Sequence, residues 1–151
     1  MKRTLLVAAF VVYLIAVAAV TIVPTDVSRQ PSPLADHINL TPVKYSFRCF
    51  SLAHRRYPIL MPFCLRNTVG NIILFLPLGV LLPMLASRFR SFVTLALTAV
   101  CCSVGIEVIQ LSLRLIGSVR SVDIDDVLLN TFGACLGYAI YWVGNAVGGE
   151  R

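Results

Sequence analysis

From Thr4 to Val23 the chain carries no charged side chain over about 20 residues, long enough at 1.5 Å per residue to cross the ~30 Å hydrocarbon core of a bilayer. Lys2 and Arg3 precede this run and Pro24 ends it. It exceeds the ~7–15 residue apolar core of a cleaved signal peptide, so it reads as an uncleaved anchor. Three further apolar stretches follow, at about 69–86, 92–116 and 127–147. With 58% hydrophobic and 13% charged residues, the chain is far too apolar for a soluble domain of 151 residues, whereas helices in lipid can be apolar on every side. The expectation is one all-α domain over residues 1–151, a four-helix transmembrane bundle with a long loop between its first and second helices.

That loop, residues 24–68, holds six of the eight prolines, both histidines and six basic side chains against Asp26 and Asp36. A short interfacial helix is expected within it, around Phe50 to Met61. Pro77 and Pro83 in the second stretch are of a kind that membrane helices tolerate, and Pro77 is expected to kink it.

An even number of spans puts both termini on one side. Lys2 and Arg3, with Arg88 and Arg90 in the turn between the second and third spans, argue that this side is cytoplasmic, because positive charge flanking short loops is retained there. The basic long loop counts the other way. The first helix takes precedence in the reading, which places the long loop outside.

The net charge of +6 is spread between apolar spans, which suits anionic lipid and membrane orientation better than nucleic acid. Neither a phosphate loop nor a zinc-type Cys/His spacing occurs, so neither cofactor nor metal is expected. Membrane lipids are the expected partners, and nucleic acid is not.

Four of the seven acidic residues, Glu107, Asp123, Asp125 and Asp126, fall within twenty positions across the end of the third span and the start of the fourth. Ser103, Glu107, Gln110 and Arg114 are spaced four, three and four apart, which aligns them on one helical face. A charge at mid-bilayer costs about 2.5–3.5 kcal/mol on insertion scales, so this stripe must face protein or water. Asp123, Asp126 and Asn130 repeat the spacing on the fourth helix, followed by Gly133 and Gly137, a GxxxG pair that permits close backbone approach and is a candidate contact for a second copy. Asn67 and Asn71, one turn apart, emerge at the same membrane end. Asn71, Glu107, Gln110, Arg120, Asp123, Asp126 and Asn130 are therefore expected to line one pocket there. Two readings stay open: a structural network with Arg114 and Arg120, or a binding or reactive site. Cys49 and Cys64 share the long loop and are a disulfide candidate if it faces an oxidising compartment. Cys101, Cys102 and Cys135 read as small apolar fillers.

Four segments occur in the order seen in VanZ-like proteins: Asn39-Leu-Thr-Pro42, the run from Asn71 through Phe75 and Pro77 to Gly79, Glu107 with Gln110, and Asp123 with Asp126, Asn130 and Gly133. The chain resembles that family over roughly residues 37–141. The resemblance implies a multi-pass protein of the bacterial cytoplasmic membrane, linked to reduced susceptibility to the glycopeptide teicoplanin, with no established reaction. Phe75, Pro77, Gly79, Gly133 and Gly137 are assigned to helix packing.

Three functions fit these readings. A non-catalytic envelope protein would bind a glycopeptide or a lipid-linked cell-wall precursor at the outer face, with the basic loop on phosphate and the acids on amide or amine groups. An enzyme would use Glu107 with Asp123 or Asp126 as acid and base, but no histidine lies in the cluster and no nucleophile with an adjacent base is legible. A structural or transport bundle would line a water path with the same stripes. The binding protein is preferred.

Overall fold

In the computed structural model, residues 2–22, 38–115 and 122–148 are described; the expected loop segment 24–37, the turn with Arg120 and the side chain of Arg114 lie outside them. Five α-helices make up the described chain: α1 (Lys2–Ile22), α2 (Lys44–Arg55), α3 (Met61–Leu85), α4 (Phe92–Leu115) and α5 (Ile124–Gly148). Four of them, all except α2, are long and apolar enough to cross a membrane. The chain is an all-α, four-helix membrane bundle.

The boundaries depart from the sequence reading in three places. First, α3 starts at Met61 rather than near Val69. Pro62 sits in its first turn and Pro58 opens the single 3₁₀ turn before it, positions where a missing N–H is harmless, so prolines that read as loop markers are helix starters. Second, the short helix in the loop is α2, earlier than the Phe50 to Met61 segment expected. Third, α5 starts at Ile124, which puts Asp125 and Asp126 in its first helical turn rather than in the preceding connection.

At 1.5 Å per residue, the 25 residues of α3 span roughly 37 Å, about one and a half turns more than the hydrocarbon needs. Arg66 and Asn67 make its N-terminal turns the polar ones, which assigns the surplus to that end, and there the Cys49–Cys64 disulfide, with Cα atoms 5.8 Å apart, ties α2 to the first turn of α3.

The tightest packing joins α3 and α5 through backbone. A methyl group added at Gly133 would overlap the Ile72 carbonyl oxygen, one at Gly137 that of Leu76, and one at Gly79 that of Ala134. Lipid tails give helices no hydrophobic reason to associate, so stability comes from close contact of this kind. Phe75, Leu78 and Leu82 of α3, Leu95 and Ala99 of α4 and Ala134 complete the core. The Gly133/Gly137 face is thus filled by α3 of the same chain, and a second copy would have to use another surface. Pro77 and Pro83 lie inside an α3 that runs unbroken to Leu85.

Side-chain hydrogen bonds add polar links from the other helices to this pair and to one another. The Tyr13 hydroxyl of α1 donates to the Leu74 carbonyl of α3 at 3.0 Å, and the Gln110 amide of α4 donates to the Thr21 carbonyl of α1 at 2.9 Å. At the opposite end, the Tyr138 hydroxyl donates to the Arg90 carbonyl at 2.6 Å, fixing α5 against the turn between α3 and α4.

Candidate functional site

The acidic residues gather where α4 ends and α3 and α5 begin, and each of the three aspartates has a different job. Asp123 precedes α5 and caps it: its Oδ1 accepts the Asp125 N–H at 3.0 Å, satisfying a donor that the first helical turn leaves without a partner. The same oxygen accepts the Asn39 amide at 2.9 Å. Asn39 belongs to a two-residue strand, β1 (Ile38–Asn39), paired in parallel with β2 (Val122–Asp123), so the segment before α2 is laced to the entry of α5. The Asp123 N–H donates to Glu107 Oε2 at 3.1 Å, and this brings the end of α4 into the same knot. Burial raises the Asp123 carboxyl above its ordinary range and the Asp125 charge pushes the same way, while the two hydrogen bonds pull it down without cancelling the rise.

Asp125 points away from this knot. Only 3% exposed, its carboxylate accepts the Val43 and Ser46 N–H groups and the Ser46 hydroxyl, the two Ser46 bonds both at 2.9 Å. Val43 is the N-cap of α2, has a left-handed backbone (φ 64°) and supplies no side-chain cap. Asp125, 82 residues away in sequence, caps α2 in its place.

Asp126 faces α3. Its Oδ1 accepts two amides, from Asn71 at 2.6 Å and Asn67 at 3.3 Å. The Asn67/Asn71 spacing of one turn places both donors on the α3 face that meets α5. The residue remains partly exposed, and its second oxygen has no hydrogen bond among the described residues. One turn deeper, Asn130 donates to the Ser103 hydroxyl of α4 at 2.8 Å. Asn130 is 3% exposed and its Oδ1 has no hydrogen-bond partner among the described residues.

The residues expected to share one pocket are thus brought to one end of the bundle and divided among local tasks. Glu107 and Asp123 meet through the Asp123 N–H, Asp126 meets Asn71, and Asn130 meets Ser103. Gln110 is turned to α1, where it joins two helices. Arg120 falls outside the described residues. Among those described, no group of three or more His, Cys, Asp or Glu side chains is placed to hold a metal ion.

Three contributors escaped the sequence reading. Asp125 was visible as an acid but off the Asp123/Asp126 face, and that offset is the signal that it serves a different partner. Asn39 stood only as part of a short motif, and nothing local announces a partner 84 residues away. The Thr21 contribution is a backbone carbonyl and carries no side-chain signal at all.

Four apolar helices, a short helix stapled across one end by a disulfide, and carboxylates held there by asparagines define a small multi-pass membrane protein with a polar end site. The family model of VanZ/LLP1 matches residues 10–145, nearly the whole chain. The protein belongs to the VanZ/LLP1 family. No curated protein and no solved structure matches it.

Proposed function

We propose that this is a non-catalytic cell-envelope membrane protein that binds a lipid-linked cell-wall precursor or a glycopeptide through Asp126, at the membrane end facing away from the cytoplasm. The observation that carries the reading is the asymmetry of the Asp126 carboxylate. One oxygen is fixed by Asn67 and Asn71, the residue is partly exposed, and the other oxygen has no hydrogen bond among the described residues. Asp123 and Asp125, by contrast, are buried and committed to capping helices. A carboxylate oriented in this way accepts N–H or hydroxyl groups, and peptide amides, amines and sugars all present them.

The orientation rests on the disulfide, which persists in oxidising compartments, and on Arg88 and Arg90 at the opposite end. Cysteines placed at Thr41 or Ser87, in a chain without other free thiols, test it: a membrane-impermeant reagent on intact cells should label position 41 and spare 87. Binding is tested with Asp126→Asn, which keeps the volume. Purified with its disulfide intact, this variant should lose affinity for teicoplanin or a lipid-linked peptidoglycan precursor by about tenfold or more, the weight of one charge-assisted hydrogen bond. Unchanged affinity for both would sink the assignment. Chemical conversion of the precursor by the unsubstituted protein would make it an enzyme instead.

A further inference from the structure

The outer face of α2 plays no part in the site just described. Its inner face is accounted for by Ala53, by Cys49 in the disulfide and by Ser46 on Asp125. On the other side of the helix, Lys44, Arg48 and Arg55 are all exposed, and their spacing of four and seven places them on one stripe. Phe47, 73% exposed, and Leu52 flank it. Arg56 and Arg66 continue the positive charge, and no acidic residue occurs anywhere from 38 to 66. Ile59, 85% exposed, in the 3₁₀ turn before α3, and Phe63, in the first turn of α3, add bare apolar surface.

The depth of this surface follows from the surplus length of α3, which puts about one and a half turns beyond the hydrocarbon at the end carrying the Cys64 link. The surface therefore sits in the headgroup layer. Arg66, whose guanidinium lies 5.8 Å from the Phe63 ring centre, is an exposed cation at that boundary, where long basic side chains reach toward phosphate. A basic stripe bordered by bare aromatic and aliphatic side chains matches an anionic leaflet in both charge and polarity.

We propose that α2 and the first turns of α3 form a docking surface for anionic phospholipid. Lys44, Arg48 and Arg55 engage headgroup phosphates while Phe47 enters the acyl layer, and the disulfide and Asp125 hold α2 flat at that depth. The inference stands independently of any ligand at Asp126.

The test uses the full chain carrying Phe47→Trp, reconstituted in bilayers of phosphatidylcholine with a minor fraction of phosphatidylglycerol. Either one or the other lipid is brominated in its acyl chains to quench fluorescence, and the Trp142 signal is subtracted with the parent chain. Brominated phosphatidylglycerol should quench position 47 more than its share of the bilayer predicts. Lys44→Gln/Arg48→Gln/Arg55→Gln should reduce that preference by roughly fivefold or more, the effect of cations near an anionic surface. Quenching in simple proportion to bilayer composition would overturn the anionic selectivity. Absence of quenching by either lipid would overturn the insertion and leave the stripe to a soluble partner. The comparison of the two lipids in the Phe47→Trp chain decides the matter even if the triple variant fails to fold.

Discussion

Replacing Asp125 by Ala should loosen α2 without loosening the bundle. The substitution removes three hydrogen bonds to one carboxylate, from Val43 N–H, Ser46 N–H and the Ser46 hydroxyl. Bonds to charged groups contribute about 1.5–3 kcal/mol each when the partner is left without a substitute. Val43 and Lys44 are exposed, however, so water reaches the freed donors at the start of α2 and recovers much of that. A net cost of about 3 kcal/mol is reasonable, equivalent to roughly a hundredfold rise in the population with the first turns of α2 open. The disulfide at Cys49 confines the opening to the segment before it. The assay is amide hydrogen exchange of the detergent-solubilised protein. Amides near Phe47, which bonds the Val43 carbonyl at 2.9 Å, should exchange about a hundredfold faster, while those of α3 and α5 around the glycine contacts keep their protection. Unchanged exchange in α2 would show that Asp125 does not cap it. Equal acceleration in α3 and α5 would show that Asp125 holds the bundle core instead.

Other expectations follow from the same contacts. Gly137→Val sets a branched side chain against the Leu76 carbonyl and should prevent close α3–α5 packing, costing at least about 3 kcal/mol, the upper range for overpacking; a melting curve in detergent like that of the parent chain would contradict it. Asp123 is raised above its ordinary value of 3.8 by burial, so its contribution to stability is full below that pH and is lost as pH rises through the folded-state value; Asp123→Asn, which keeps the capping oxygen, should flatten that slope in unfolding measured against pH, and an unaltered slope would refute the cause. Cys64→Ser releases a closed loop with a sequence separation of 15, worth about 3 kcal/mol in the chain-entropy account, and should increase protease cleavage between residues 44 and 60 of the solubilised protein while cleavage elsewhere stays unchanged.

Membrane insertion responds to local composition, so the four spans were legible to within a few residues at most ends: α1 and α4 sit almost where their apolar runs lie. Helical periodicity likewise placed Ser103, Glu107 and Gln110 on one inward face, and all three are buried. The first turns of α3 and the first half of α2 were hidden because prolines and basic residues read as loop, whereas a proline in a first turn and a cationic outer face are both compatible with a helix in the headgroup layer. GxxxG spacing announced a close approach at Gly133 and Gly137 but not the partner, because a small-residue stripe fits any backbone; only the fold selected α3. The aspartates make the same point most sharply. Composition concentrated Asp123, Asp125 and Asp126 at one helix start, but one caps its own helix, one caps another helix and one is held by asparagines on a third, because a carboxylate takes whichever donors the tertiary structure brings within 3 Å and those lie 2, 82 and 55 residues away.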